Sequence, residues 1–258
     1  MIAELFAAVY ADPDDDEPRR VLGDHLIDVG DPRGELILLQ LARGRKGYAS
    51  TRELELLERH AADWLGPLGA VVGYGASCTT RFERGFLAEA SIIRDTKKVL
   101  RALAGEPGWS TVERFSYGVP PQLLDRAPFR ALRAISVNKG QFGRLARRKV
   151  AFASVVEVEL LTSIGAGELA RVFPRVHALR IRHVPDADEL AKLAAIGCRE
   201  LAIARHLTYD GDAYDDFDDV RELRELVADM LAAPSPFERF YVGDERYQRD
   251  ERGYLVRY

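Results

Sequence analysis

The residues best suited to metal binding or nucleophilic chemistry in this chain are its five histidines and two cysteines. His177 and His183 are close enough in sequence to meet on neighbouring elements, but a zinc site would also need a carboxylate or thiolate beside them. We therefore expect surface or interface histidines. Cys78 and Cys198 are far apart in the chain, which is typical of a reducing cytoplasm. Cys198 is expected to be a small buried hydrophobe, whereas a reactive Cys78 stays open.

A cluster of aspartates occupies residues 209–219, where six of the eleven residues are aspartate. A divalent-cation loop is one interpretation, but the aspartates do not follow the ligand spacing of an EF-hand and no glutamate closes the loop. The alternative is a solvated insertion that precedes a helix at residues 220–231.

Motifs that identify an enzyme are missing from the sequence. It contains no phosphate-binding glycine loop with lysine, no Gly-x-Ser-x-Gly, no His-Glu-x-x-His and no Cys-x-x-Cys. We therefore assign no catalytic residue, no metal and no cofactor. An enzyme stays possible as an alternative, with a site in the cleft between the N-terminal helical cap and the repeats that follow it, using groups such as Asp24, His25 and Glu35. Asp24 and Glu35 are more simply helix caps or partners of Arg20 and Arg33.

Composition and charge favour a folded protein. The chain has 258 residues, of which 47% are hydrophobic and 30% charged, so it can bury a core. No run of 18 apolar residues is present and the N-terminus lacks a basic region before its apolar residues, so we expect no membrane segment, no signal peptide and a cytoplasmic location.

The middle of the chain is basic. Residues 41–204 carry a net charge of +9, whereas residues 1–40 carry −7 and residues 205–258 carry −6. This pattern fits a polyanion partner or a charged surface with no such partner. The densest basic cluster is Arg144, Arg147, Arg148 and Lys149. Aromatic residues for base stacking would be expected beside it, but Phe142 and Phe152 are predicted to pack in the core.

The N-terminal region is predicted to be helical. Apolar residues recur at helical spacing in residues 4–10, 19–29, 35–42 and 51–64. Asp31 is a good N-cap, and Pro32 suits the first helical position.

The same region carries a compound motif: Asp-Pro-x-Asp-Asp, then Asp-x-Leu, then Gly-Asp-Pro-Arg-Gly-Glu before an apolar helix that ends in Leu-Gln. It resembles the bacterial repeat-companion domain, a short helical module at the head of repeat-containing proteins. The resemblance implies a helical module at residues 1–70, leucine-rich repeats after it, and no catalytic residue to carry over. His25 stands where the family often has an aromatic residue. The matching residues are Asp12, Pro13, Asp15, Asp16, Asp24, Leu26, Gly30, Asp31, Pro32, Arg33, Gly34, Glu35, Leu39 and Gln40.

A repeated pattern follows this region. Segments with apolar residues at their first, fourth and sixth positions are separated by 25, 20, 23, 21 and 22 residues. That period lies in the leucine-rich-repeat range of roughly 20–29 residues. A seventh match begins at Phe237. Each segment predicts a short strand that buries its fourth and sixth positions on one face. The six regular segments begin at Leu87, Val112, Leu132, Val155, Val176 and Cys198.

The stretches between these strands show helical periodicity, at residues 95–104, 142–146, 167–173 and 187–196 among others. The predicted fold is therefore α/β: a helical cap, then a right-handed strand–helix solenoid with a parallel sheet at residues 71–258. Strands at 237–242 and 253–258 would pair as a hairpin that closes the sheet edge. The usual asparagine after the third apolar position is absent, so the repeats are irregular and a generic α/β arrangement stays open.

The open face of the predicted sheet is the best candidate for binding, because the third and fifth positions of each repeat point there. We predict a non-catalytic scaffold that binds an unidentified protein partner through this face. The alternatives are nucleic-acid or polyanion binding through the basic middle and, on the face itself, a ladder of surface ion pairs with no partner. The candidate binding residues are Arg114, Glu157, Glu159, Arg180, Arg182 and Tyr241.

Overall fold

The computed structural model describes residues 1–45, 47–75, 79–93, 96–116, 119–120, 123, 127–147, 151–161, 163–203 and 217–258. The chain divides into two compact units, Met1–Ile135 and Ser136–Tyr258. Three predictions fall on positions outside the described residues: a reactive Cys78, a cation loop that uses the aspartates of 210–216, and the contribution of Arg148 and Lys149 to the basic cluster.

Four helices begin the first unit, and all four were predicted. Local contacts fix where two of them start. Asp31 caps α3 by accepting a hydrogen bond from the backbone N–H of Arg33 at 2.8 Å, and Pro32 occupies the first turn. Ser50 and Glu53 cap α4 reciprocally, each side chain accepting from the other residue's backbone N–H. The four helices are α1 (Ile2–Ala11), α2 (Glu17–Asp28), α3 (Pro32–Arg43) and α4 (Thr51–Trp64).

The strands of the first unit start with an antiparallel hairpin of β1 (Arg81–Glu83) and β2 (Phe86–Ser91). Its turn is formed by Arg84 and Gly85, with φ of 52° and 80°, in the left-handed region that favours glycine. β3 (Arg114–Ser116) pairs with β2 in parallel, and β4 (Ala134–Val137) pairs with β3 in the same sense. Between β2 and β3 lie α5 (Lys97–Leu103) and a 3₁₀ turn at Pro107–Thr111.

Buried polar contacts fasten the helices of the first unit to this hairpin. Arg19, of which 1% is exposed, donates to the carbonyl oxygens of Arg84 at 3.0 Å and Pro13 at 2.8 Å. The Arg84 side chain in turn forms ion pairs of 2.9 Å with Asp16 and with Glu113. Pro13 and Asp16, which belong to the motif of the sequence analysis, therefore have a structural role here.

The core of the first unit is apolar and closely packed. Val9, Leu22, Leu26, Ile37 and Phe86 are buried together. Helices α2 and α3 approach so closely that a Cβ atom on Gly34 would lie 2.5 Å from the carbonyl oxygen of Gly23. Glycine at position 34 is therefore required by packing.

The second unit alternates helices with parallel strands. Its strands β5 (Glu157–Leu160), β6 (Ala178–Ile181), β7 (Glu200–Ile203) and β8 (Arg239–Val242) pair in chain order. Helices α6 (Lys139–Arg147), α7 (Ala166–Val172), α8 (Ala187–Ala195) and α9 (Phe217–Ala232) precede these strands in turn. Alternating helices and mostly parallel strands confirm the predicted α/β class.

The register of the second unit aligns equivalent repeat positions. Val158 lies opposite Leu179, Leu179 opposite Leu201, and Leu201 opposite Phe240. Each of these four side chains is at most 2% exposed. The prediction that the fourth position of each repeat is buried is therefore confirmed for these strands.

The C-terminal pairing differs from the prediction. Strand β8 pairs antiparallel with β9 (Glu245–Arg249), and β9 pairs antiparallel with β10 (Leu255–Arg257). The predicted direct hairpin between 237–242 and 253–258 was wrong, because β9 lies between them. A turn at Gly243, with φ of 56°, starts β9 immediately after β8.

The boundary between the two compact units lies after Ile135, whereas the sequence placed the end of a helical module at residue 70. Helices α1–α4 pack on the β1–β2 hairpin, so the helices and the hairpin belong to one compact unit. The boundary of that unit therefore lies beyond residue 70. The proposed module is defined by its motif, and the unit is defined by packing.

Candidate binding surface

Side chains on the outer face of the second unit form two rows across its strands. Residues alternate between the two faces of a strand, so the residues on either side of each buried position point away from the core. None of the ten residues in these rows is buried. The first row consists of Glu159, Arg180, Ala202, Tyr241 and Arg246, and the second of Glu157, Ala178, Glu200, Arg239 and Gln248.

A groove of about 590 Å³ lies along this face. Ala178 and Ala202 contribute the smallest side chains of the two rows, next to Arg180 and Glu200 on the same strands. The small residues leave a depression between longer side chains, which explains where the groove lies. We call this feature the sheet groove. It is lined by Glu157, Glu159, Ala178, Leu179, Arg180, Glu200, Ala202, Ile203, Tyr241, Gly243, Asp244 and Arg246.

Glu159 is the most constrained carboxylate of the groove. One oxygen accepts from Ser136 Oγ at 2.6 Å, and the other accepts from Arg182 at 3.0 and 3.3 Å. Burial alone would raise the pKa of Glu159, but the two donors and the nearby charge of Arg180 outweigh burial, so its pKa lies below the ordinary value. Glu159 therefore stays ionised and fixed in position.

Contacts among β7, β8 and the C-terminus stabilise the side chains at the β8 end of the groove. Glu200 forms an ion pair with Arg239 across the β7–β8 pair. Burial and a hydrogen bond with Tyr258 raise the pKa of Tyr241, which therefore keeps its proton near neutral pH.

Arg180 and Arg246 are the cations of the groove. Both side chains are exposed, and within the part of the chain that the structure describes neither has a carboxylate within 4.0 Å. Their guanidinium donors are therefore the groups most open to a ligand on this face.

The structure brings four of the predicted residues together: Glu157, Glu159, Arg180 and Tyr241 all line the sheet groove. Arg182 does not line it but holds Glu159 in place. Arg114 lies on β3 in the first unit, opposite Glu89 and Ala134, and is not part of the groove.

Three lining residues, Gly243, Asp244 and Arg246, follow the last predicted repeat strand and were missed. They belong to the β8–β9 turn and to β9, and this segment has no apolar repeat pattern. The Gly243-Asp244 pair after an apolar strand was the available signal for a hairpin turn.

The other candidate residues have structural partners. Glu35 accepts two hydrogen bonds of 2.7 Å from Arg52, so its partner is Arg52 and not Arg33. That contact holds the pKa of Glu35 below its usual range. Asp24 is exposed on α2, and His25 is partly buried beside it in sequence.

The histidine and cysteine candidates are separate from one another. His183, which follows β6, binds Glu189 through Nε2 at 2.9 Å, whereas His177, which precedes β6, is exposed. Among the described residues no group of three potential ligands could hold a metal ion. Cys198 is 2% exposed, and burial raises the pKa of its thiol to about 12, so the reactive thiolate is suppressed.

The aromatic residues near the basic cluster are engaged in packing. Phe142 is buried, and the rings of Phe142 and Phe152 lie 6.3 and 6.0 Å from that of Phe173. Neither forms a stacking platform beside Arg144 and Arg147.

No protein-family model, no curated protein and no solved structure matches this chain. Within the described ranges, no helix is both long and apolar enough to span a membrane.

Proposed function

We propose that this chain is a non-catalytic, cytoplasmic scaffold that binds a protein partner in the sheet groove. In this proposal residues 71–258 form an irregular, right-handed leucine-rich-repeat-like solenoid, and residues 1–70 are a repeat-companion module. The observation that carries the proposal is the register, because it places Ala178 and Ala202 between charged side chains on the open face of a parallel sheet.

The chemistry of the groove favours a polypeptide partner. The rigid strands supply a preformed surface, so little conformational entropy is lost there on binding. Arg180 and Arg246 supply donors for a carboxylate, and Asp244 supplies acceptors for a cation. A polypeptide segment can offer both kinds of group.

The same charges disfavour nucleic acid in this groove. Four carboxylates line it, from Glu157, Glu159, Glu200 and Asp244, against two arginines. Arg182 and Arg239 pair with Glu159 and Glu200, so the groove has no net positive charge that would attract a phosphate backbone. The partner segment is therefore expected to carry both signs of charge.

The depression above the two alanines suggests how the partner is oriented. Adjacent strands are about 4.8 Å apart, so Arg180 and Tyr241 stand on strands separated by roughly twice that distance, with Ala202 between them. A partner side chain of glutamate size fits between them, with its carboxylate at Arg180 and its methylene groups against Tyr241.

Affinity capture with photo-crosslinking from the native host tests the proposal. The crosslinker is placed at Gln248, an exposed residue of the second row that borders the groove without lining it, and the captured partner is then titrated against purified variants. Ala202→Arg fills the depression without removing an ion pair, and Arg180→Glu with Arg246→Glu reverses the available cations. Both variants are expected to weaken binding at least tenfold.

The control variant exchanges Asp188 and Lys192, an exposed ion pair on α8 that does not line the groove. Partner affinity should be unchanged in it. Affinity that is the same in the groove variants and the control would place the partner on another surface. A partner that is a nucleic acid, with an affinity that falls steeply with salt, would favour polyanion binding instead.

A further inference from the structure

A second pocket, in the first unit, is lined by one arginine, aromatic side chains and two carboxylates. It encloses about 240 Å³, smaller than the roughly 300–1,000 Å³ of pockets for drug-sized ligands, and its walls include Tyr10, Arg33, Trp64, Phe86 and Glu106. We call it the Arg33 pocket. It lies entirely within Met1–Ile135 and shares no lining residue with the sheet groove.

Arg33 is held by neutral groups. Its Nε donates to the carbonyl oxygen of Gly85 at 3.0 Å, and its Cζ lies 4.6 Å from the ring centroid of Phe86 and 5.1 Å from that of Phe6. Among the described residues no carboxylate lies within 4.0 Å of its guanidinium, since Asp31 accepts from the backbone N–H of Arg33 instead. The contacts orient the cation without neutralising it.

A second buried cation increases the positive charge here. Arg19, which is 1% exposed, lies 4.8 Å from the same Phe86 ring and donates only to backbone carbonyl oxygens among the described residues. Two guanidinium groups therefore share one aromatic ring, with the charges of Asp16 and Glu113 acting on Arg19 and that of Asp31 acting on Arg33. Arg33 is the one of the two that lines the pocket, so an anion bound there would add to this compensation.

Tyr10 supplies the second donor. Tyr10 lines the pocket together with Arg33, and burial raises the pKa of its phenol, so Tyr10 keeps its proton and can donate it. Together the two side chains present one N–H and one O–H, which match the two oxygens of a carboxylate.

The remaining walls restrict the ligand to one negative charge and an apolar body. Asp63 and Glu106 also line the pocket, and their charges oppose a dianion such as phosphate. Trp64, Leu68 and Pro107 supply apolar walls. We infer that the Arg33 pocket binds a small free monocarboxylate with an apolar body, its carboxylate on Arg33 and Tyr10.

Titration of the full chain with phenylacetate, followed by ¹H–¹⁵N NMR, tests this inference. The indole of Trp64 lines the pocket, whereas the indole N–H of Trp109 is hydrogen-bonded to the carbonyl oxygen of Leu103 and is the internal control. Saturable shifts at Trp64, Gly66 and Gly108 are expected, with none at Trp109. The uncharged isostere phenylacetamide should bind about tenfold more weakly or worse, and benzylphosphonate should not bind more tightly.

Three variants locate the carboxylate. Arg33→Met should abolish saturable binding, and Tyr10→Phe, which keeps the ring, should weaken it several-fold even if Arg33→Met fails to fold. Arg20→Met removes an exposed arginine of α2 and should leave phenylacetate binding unchanged.

Other results would overturn the inference. Equal binding of phenylacetate and phenylacetamide would show that charge is not recognised. Equal binding by Tyr10→Phe and Arg20→Met, or no saturable shift in the millimolar range, would also reject the site. Binding of N-acetylglycylphenylalanine without phenylacetate binding would assign the pocket to a peptide C-terminus and not to a free acid.

Discussion

Gln40 Oε1 accepts a hydrogen bond from the backbone N–H of Gly85 at 2.8 Å, and the Nε2 of the same side chain donates to the carbonyl oxygen of Phe82 at 3.2 Å. One amide thus satisfies both ends of the β1–β2 turn. Gln40 is 2% exposed, so no water can replace either contact without rearrangement. The last turn of α3 and the first hairpin are therefore stabilised as one structure.

Replacing Gln40 with alanine is expected to lower the free energy of unfolding of the first unit by about 2–4 kcal/mol, because two buried backbone groups lose their partners. Urea unfolding followed by tryptophan fluorescence measures this, since Trp64 and Trp109 both lie in the first unit. Arg59→Ala, an exposed change on α4, should stay within about 0.5 kcal/mol of the parent protein. An equally small effect for Gln40→Ala would contradict the bridging role.

Alanine at Gly85 combines two costs. The backbone has φ of 80°, and the new Cβ atom would overlap Ile37 Cγ1. Gly30 has φ of 76° with nothing within 4 Å of the added Cβ, so Gly30→Ala measures the conformational cost alone, about 1–2 kcal/mol. We expect Gly85→Ala to lose at least about 1 kcal/mol more than Gly30→Ala in thermal or urea unfolding. Equal losses would mean that Ile37 can move aside freely.

The low pKa of Glu159 predicts a pH-dependent contribution to stability. Its ionised form is favoured in the folded protein, so this contribution is present above the unfolded pKa of about 4.3 and is lost as the pH falls through the lower folded pKa. The stability difference between the parent protein and Glu159→Gln should shrink as the solution is acidified below that value. Urea unfolding followed by circular dichroism at several pH values checks this, with exposed Glu168→Gln as the control. A difference that is constant across this pH range would show that the Ser136 and Arg182 contacts do not favour the ionised form.

The Cys198 thiol is expected to be inert in the folded protein. In a Cys78→Ser background Cys198 is the single thiol, and its pKa of about 12 with 2% exposure should make labelling by an aromatic disulfide slow. Labelling should become fast in urea and should follow the unfolding transition. Rapid stoichiometric labelling of the native protein would disprove the buried placement.

Local signals in the sequence predicted the helices and the buried strand positions. Asp31 and Pro32 act within one turn, so the start of α3 was visible in the sequence. The Ser50–Glu53 pair is equally local but was not among the predictions. The burial of Val158, Leu179 and Leu201 was predicted from an apolar pattern that recurs several times along the chain. Because the pattern recurs, single residues that depart from it do not hide it.

Features that depend on distant contacts were not predictable in this way. Strand β9 has one buried residue, Tyr247, among charged and polar ones, so its pattern does not separate it from a loop. The face of the sheet groove followed from alternation, but its depth depends on Ala178 and Ala202 lying beside longer side chains on other strands. The Arg33 pocket requires residues 10, 33, 86 and 106 to meet, and no periodicity relates these positions.

Strand β9 also decides where further strand–helix units can be added to this sheet. Because it runs antiparallel along the free side of β8, a new strand–helix module cannot be appended after Val242 without displacing Glu245–Arg249. Extra modules, whether they arise by gene duplication or by protein engineering, would have to be spliced in upstream of Arg239. Strand β9 would then keep its pairing with β8 and would prevent a further parallel strand from pairing there.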